Sequence, residues 1–279
     1  YVTEKKKLIG SVDVKDLLTV GESRLIEEIM DENVLCARTL DDQEKVAAMI
    51  EKYGLVAIPI IDHENCLVGI VTVDDAMTVL QDEATEDISI MAGVTPNEDS
   101  YFGTSVFQHA KNRALWLMLL MLSATVSGEI LAHYESAMAV MPILITFIPM
   151  LMGTSGNCGS QSSTMVIRGI AVGEIEFKEF FNVVFKEIRI AILVGLMLAV
   201  VNGIRVYIMY DQDIMLAIAI GITMIAIVCM AKCIGCTLPL FAKKIGLDPA
   251  LMAAPLISTI MDTCTILMYF AIITAFFKL

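Results

Sequence analysis

The sequence predicts an α-helical membrane protein of five transmembrane helices with a soluble α/β domain at its N-terminus. Three observations carry that class. Residues 1–112 hold 9 Lys and Arg against 22 Asp and Glu, whereas 113–279 hold 10 of each, so the formal charge of −13 belongs entirely to the first part. The second part is a succession of apolar segments, each near the ~20 residues a helix needs to cross a bilayer. The first part contains an internal repeat at an offset of 59 residues. An acidic balance of this size argues against nucleic acid and anionic lipid as partners and favours cations.

The repeat aligns Leu8, Gly10, Val12, Val14 and Asp16 with Leu67, Gly69, Val71, Val73 and Asp75. Each copy reads as an apolar strand, a glycine-permitted bend and an acidic helix start capped by Asp. Before the second copy, 40–53 has helical periodicity through Val46, Met49, Ile50 and Tyr53. Two strands, 55–61 and 67–73, follow around a polar turn at 62–65. That βαββα order resembles a CBS domain, and two copies imply a CBS pair over 1–80 with its first member incomplete. The resemblance brings a ribose-contacting pattern, Gly-x-x-Ser/Thr-x-x-Asp, met here by Gly69, Thr72 and Asp75. The first copy has Asp13 where a hydroxyl belongs, so one ATP site at most is implied, and a purely structural repeat stays equally open. The chain opens at Tyr1 without a signal-peptide pattern, on a strand that reads as mid-domain, so N-terminal sequence is expected to be missing.

Acidic connecting helices are expected over 81–112. From Val73 to Met91 the residues Asp74, Asp75, Asp82, Glu83, Glu86 and Asp87 share a stretch with Ala76, Val79, Leu80, Ile88 and Met91. That predicts a helix with one strongly anionic face, either a solvated surface or a cation sensor. A further helical piece over 104–113 delivers the chain to the membrane.

The spans of the membrane domain, 113–279, fall at about 114–134, 138–167, 188–210, 214–242 and 250–277. The second is interrupted by Pro142 and Pro149 and by an uncharged polar run from Gly153 to Thr164. Irregular or polar backbone at membrane depth survives where protein or water satisfies it, so this run should line a cavity. Asn157 and Gln161 lie on one side of a helix at i, i+4 and favour lining over a small-residue packing seam, which is the competing reading.

Basic residues mark two connections as cytoplasmic: Arg168, Lys178, Lys186 and Arg189 after the second span, and Lys243 and Lys244 after the fourth. The 131–137 loop has no Lys or Arg, and the connection after the third span has only Arg205 against Asp211 and Asp213. The acidic domain is thus expected in the cytoplasm and the C-terminus outside, in the plasma membrane. Lys232 is expected to snorkel to the cytoplasmic face. Cys233 and Cys236 form a lone C-x-x-C with no second pair to complete a zinc site, and read as packing residues.

Asp262 is the one charged side chain between Pro249 and Phe277, near the middle of the last span. A carboxylate there is costly and normally faces a cavity, a pore or a partner. Ser258, Thr259 and Thr263, with Pro255, give the helix a polar face around it. Mg²⁺ keeps its waters and is bound through one or two carboxylates. Two copies on a two-fold axis would set two Asp262 carboxylates across a pore, suited to a hydrated divalent ion.

Gly156, Asn157, Gly159, Gln161 and Ser162 in the second span, followed by Arg168 to Ala171, resemble the signature of the MgtE magnesium channels. So does the stretch from Asp248, Pro249 and Ala250 through Pro255 and Thr259 to Asp262. The run from Glu83 to Ile88 resembles that family's linker from the CBS pair to the membrane. The resemblance covers essentially the whole chain and implies a homodimer in membrane lipid. Its pore would lie between second and fifth spans, with Asp262 as selectivity residue and Asn157 in the pore-lining motif. Gly153, Gly156, Gly159, Gln161, Ser258 and Thr259 would line it. Asp75, Glu83, Glu86, Asp87 and Asp248 would bind cytosolic Mg²⁺ and hold the channel closed. The sequence departs at Ser160, where some relatives carry a second Asn, and at Ala254 before Pro255. The family's N-terminal helical domain has no counterpart in these residues.

The expected activity is therefore Mg²⁺ import, gated by cytosolic Mg²⁺ and not enzymatic. Two other readings stay open: a CBS-regulated transporter of another divalent cation such as Co²⁺ or Mn²⁺, and a nucleotide-sensing membrane protein that conducts nothing.

Overall fold

The computed structural model describes residues 1–21, 23–97, 99–210 and 213–278. Asp211 therefore lies outside the described residues. The chain divides into two compact units, 1–86 and 87–279.

In the first unit, β1 (Val2–Glu4) and β2 (Lys7–Gly10) form an antiparallel hairpin, with Thr3 opposite Leu8. Helix α1 (Val14–Thr19) follows, capped by Asp13, whose carboxylate accepts from the Lys15 amide at 3.2 Å. The second repeat copy is fuller. Strands β3 (Ala37–Arg38), β4 (Ala57–Ile61) and β5 (Leu67–Thr72) make one sheet in that order, β3 parallel and β5 antiparallel to β4. Helix α2 (Gln43–Tyr53) crosses from β3 to β4. Asp42 caps its start, and Gly54, at φ +62°, ends it in the left-handed conformation that glycine adopts without a Cβ penalty. Helix α3 (Val73–Met91) continues from β5. Val46, Ala47 and Ile50 of α2 pack with Ile58 of β4 and Ala76 of α3, as the period-3.6 spacing of the first three requires. The βαββα order read from the sequence is present. The acidic stretch 73–91 forms one uninterrupted helix.

In the second unit, α4 (Val106–His133) merges the expected helical piece at 104–113 with the first span. The second span is broken as its prolines dictate: α5 (Glu135–Val140), a 3-10 turn at Pro142–Phe147, then α6 (Ile148–Ala171) with Pro149 in its first turn, where no amide is lost. Helix α7 (Phe180–Met209) begins eight residues before the third expected span, and α8 (Ile214–Lys244) and α9 (Ala254–Phe277) follow, α9 after a 3-10 turn at Pro249–Met252. Among the described residues three helices are long and apolar enough to cross a membrane: α4, α8 and α9. Helices α6 and α7 are 24 and 30 residues long, and α6 carries the polar run.

Helix α8 packs against α6, α7 and α9, and α4 lies along α9. Leu151, Ile220, Ile227, Ile257 and Phe270 fill the core between them. The α6–α8 crossing is close. A Cβ on Gly235 would stand 2.3 Å from the Gly159 carbonyl oxygen, so the two backbones approach as only glycine permits.

Candidate functional site

Helix α6 uses its residues on separate faces. One face is a seam. Gly156 lies against Ser258 of α9, where an added Cβ would meet Oγ at 3.3 Å, and Gly159 lies against Ile257, at 2.7 Å. Thr265 of α9 donates to Ser155 Oγ at 2.7 Å, and Ser163 donates to the Met252 carbonyl. Gly156 and Gly159 thus sit buried between helices, with their role in this chain's packing legible in the contacts. Gly153 is exposed and has open space beside it.

Along α9, Thr259 donates to the Pro255 carbonyl at 3.0 Å and Thr263 to that of Thr259 at 3.4 Å. Thr263 is also bonded to Ser127 of α4 at 2.7 Å. Ser258, Thr259 and Asp262 are all half-buried. Among the described residues no basic side chain pairs with Asp262. A mid-helix carboxylate therefore stands beside a polar stripe without a protein counter-charge, on the helix that packs along α6.

The opposite face of α6 borders a cavity of about 1000 Å³. Asn157, Gln161 and Thr164 are exposed and line it, and Asn182, Lys186 and the half-buried Glu187 of α7 and the buried Lys232 of α8 complete the lining. Asn157 and Gln161, four residues apart on one side of α6, both border this cavity.

At the wall of that cavity is a constellation the sequence reading missed. Ser162 Oγ donates to Glu187 Oε2 at 2.5 Å, and Lys232 Nζ donates to Ser162 Oγ at 3.2 Å and stands 3.7 Å from Glu187 Oε2. Lys232 is 5% exposed. The snorkelling expected of it is overturned. It lies twelve residues before the end of α8, and a carboxylate within reach answers its charge at lower cost than the distance to water. The available signal was a lone Lys in one apolar segment and a Glu at the start of another.

Thr72 donates to Asp75 Oδ2 at 2.7 Å, and Gln43 donates to Glu83 Oε1 at 2.9 Å. Hydrogen bonding from Thr72 and from the first amides of α3 holds the Asp74 carboxyl below the usual carboxylate range. Glu86 is exposed and Asp87 half-buried. Asp248 accepts from the Ala250 amide at 2.8 Å and so caps the turn before α9. Gly69 pairs with Ile60 in the sheet and has open space at its Cα. Among the described residues no three His, Cys, Asp or Glu side chains group to hold a metal ion. Cys229, Cys233 and Cys236 are free thiols on α8.

Fold and site together define a polytopic helical membrane protein with an appended βαββα domain. Residues 148–272 match the MgtE family model, a divalent cation transporter, and residues 26–82 match the CBS domain model. The chain is 35% identical over 271 residues to the magnesium transporter MgtE of Thermus thermophilus, covering 97% of this chain and 60% of that protein. It is 34% identical to that of Bacillus subtilis, covering 99% and 60%. The solved cytosolic domain of the Mg²⁺ channel MgtE in complex with ATP is 41% identical over 28% of this chain and 32% of its own, with a TM-score of 0.27. Residues 148–272 thus carry the transporter domain of the MgtE family, and the chain is similar to these magnesium transporters over nearly its whole length. It spans 60% of the length of these curated relatives.

Proposed function

We propose that this chain carries Mg²⁺ across the plasma membrane through a pore formed where α6 and α9 of two copies meet. The observation that carries the reading is Asp262, a carboxylate in the middle of an apolar helix with no basic partner among the described residues. One such group is a poor cage. Two of them across a two-fold axis suit an ion that keeps its water and must leave again. Asn157, Gln161, Gly153, Ser258 and Thr259 supply polar surface along the path. Gly156 and Gly159 let α6 and α9 approach closely enough to form one wall. The magnesium transporters to which the chain is similar support this choice of ion. Mn²⁺ and Co²⁺ are the competing cargoes, and flux assays with each distinguish them.

Five crossings are proposed: α4, α6 with the broken segment before it, α7, α8 and α9. Lys244 of α8 stands 4.3 Å over the ring of Phe177, which precedes α7. That contact supports a common side for the two basic connections, and the charge rule makes it the cytoplasm, together with the N-terminal domain. Asp75, Glu83, Glu86, Asp87 and Asp248 are proposed to bind cytosolic Mg²⁺ and favour the closed state. Several weak sites are needed, because a ligand shifts an equilibrium only by its differential affinity for the two states. The Gly69, Thr72 and Asp75 pattern offers one ATP site beside them.

Purified protein in liposomes loaded with a Mg²⁺-sensitive dye tests the reading. Wild type should admit Mg²⁺. Asp262→Asn should lower the flux about tenfold or more, since a charge-assisted contact is worth about 1.5–3 kcal/mol per carboxylate. Wild-type flux in a well-folded Asp262→Asn protein would refute the assignment.

A further inference from the structure

The segment before α4 is tightly held, and it turns apolar side chains outward. The amides of Gly103 and Thr104 both donate to the Ser100 carbonyl at 3.0 Å, and Thr104 Oγ1 donates to the same oxygen. Asn97 Nδ2 donates to Thr104 Oγ1 at 2.8 Å, and Ser105 caps the helix through the Gln108 amide. His109 Nε2 is bonded to the Tyr101 carbonyl at 3.0 Å, with the two rings 4.9 Å apart. On this built elbow Phe102 is 96% exposed, Val106 85% and Phe107 80%. Burying such side chains is worth about 1.5–3 kcal/mol each, so a fixed loop facing water gains nothing by displaying them.

The depth of the elbow follows from the helix it starts. Helix α4 has 28 residues, about 42 Å at 1.5 Å per residue, which matches the ~40–45 Å of a bilayer with its headgroups. Its uncharged stretch between Arg113 and Glu129 is about 22 Å long, shorter than the ~30 Å hydrocarbon core. The charged ends must therefore reach outward, Lys111 and Arg113 back toward the elbow. The first turn of α4 then lies in the headgroup layer on that side, where aromatic side chains gather and where basic groups meet lipid phosphates.

We propose that Phe102, Val106 and Phe107 form a lipid anchor, inserted into the interfacial layer of the same bilayer that α4 crosses. The inference rests on the reading that α4 spans the membrane. It adds a surface with a stated partner, phospholipid at the headgroup and upper acyl boundary, that fixes the depth of the first turn of α4.

Trp116 is the chain's one tryptophan, so replacing it by Phe leaves a background in which single reporters can be read. In proteoliposomes of brominated phosphatidylcholine, the tryptophans introduced by Phe102→Trp and by Phe107→Trp should each be quenched. Bromines near the headgroup end of the acyl chain should quench at least about twofold more than bromines near its terminus. The tryptophan of Leu122→Trp, about four turns beyond Phe107 on an exposed face, should show the reverse order. If the Leu122 reporter behaves so while those at 102 and 107 ignore both lipids, the anchor is overturned. Strong quenching by aqueous iodide would then mean that the elbow faces water, and weak quenching that protein covers it, for example a second copy. If the Leu122 reporter also ignores both lipids, α4 does not cross, and the anchor falls with the reading beneath it.

Discussion

Replacing Lys232 by Met keeps the length and bulk of the side chain and removes only the charge and the donor. The Glu187 carboxylate would then keep its bond from Ser162 and lose its cation, with its side chain only 13% exposed. At 3.7 Å and an effective dielectric constant of about 20, the attraction removed is roughly 4–5 kcal/mol. The desolvation of Lys232 that Met avoids offsets part of this. Breaking buried pairs by removing one partner typically costs about 3–5 kcal/mol, and we take about 3 kcal/mol here because Glu187 keeps one bond and borders a cavity. Glu187→Gln alone should cost less, since the amide still accepts from Ser162 while the Lys loses only its counter-ion. The double variant, Glu187→Gln with Lys232→Met, should recover at least about 1 kcal/mol relative to the sum of the singles. Unfolding in mixed micelles, followed by circular dichroism, measures all three. A Lys232→Met protein within about 0.5 kcal/mol of wild type, or a strictly additive double variant, would refute the claim that the pair is coupled.

Neutralising Glu83, Glu86 and Asp87 together should weaken inhibition by cytosolic Mg²⁺, moving its midpoint up by at least about threefold, because fewer carboxylates are left for ions to bridge in the closed state; an unchanged midpoint in liposome flux would reduce this face to solvated surface. Asn157→Cys should react with water-soluble thiol reagents, since the side chain is exposed into the α6–α7 cavity, and a thiol that stays unreactive in membranes would mean that lipid or protein fills that space. Gly156→Leu should cut conduction and also lower stability by about 1–3 kcal/mol, because Ser258 stands 3.3 Å from the place of its Cβ; normal flux with normal stability would separate α6 from the pore.

Much of the architecture was legible because it rests on short-range rules. Val46, Met49, Ile50 and Tyr53, whose spacing predicts a helix, all fall in α2, and Pro142 and Pro149 fall where the second apolar segment breaks. The acidic run at 73–91 reads as helical by its apolar spacing and forms α3. What escaped the reading depends on which helix faces which. The glycines of the polar run are all alike in sequence, yet Gly153 is exposed, Gly156 meets Ser258 and Gly159 meets α8 and α9. That division is fixed by the rotation of α6 against its neighbours, which no periodicity within α6 can state.

Lys232 is the sharper case. Considered alone, a lysine in an apolar segment is assigned to the nearest water, because the ammonium has no other way to keep its solvation. The assignment fails once a second helix brings a carboxylate closer than the surface, and Glu187 lies 45 positions earlier in the chain. Ser162, which joins the two, belongs to the same polar run as Asn157 and Gln161, five positions and one position away. A hydroxyl bonded to a charge pair on one side of α6 limits how that helix can rotate, and so determines that its two amides point into the cavity. The charge pair and the polar run are therefore parts of one arrangement, in which groups far from Asp262 set the face that α6 presents.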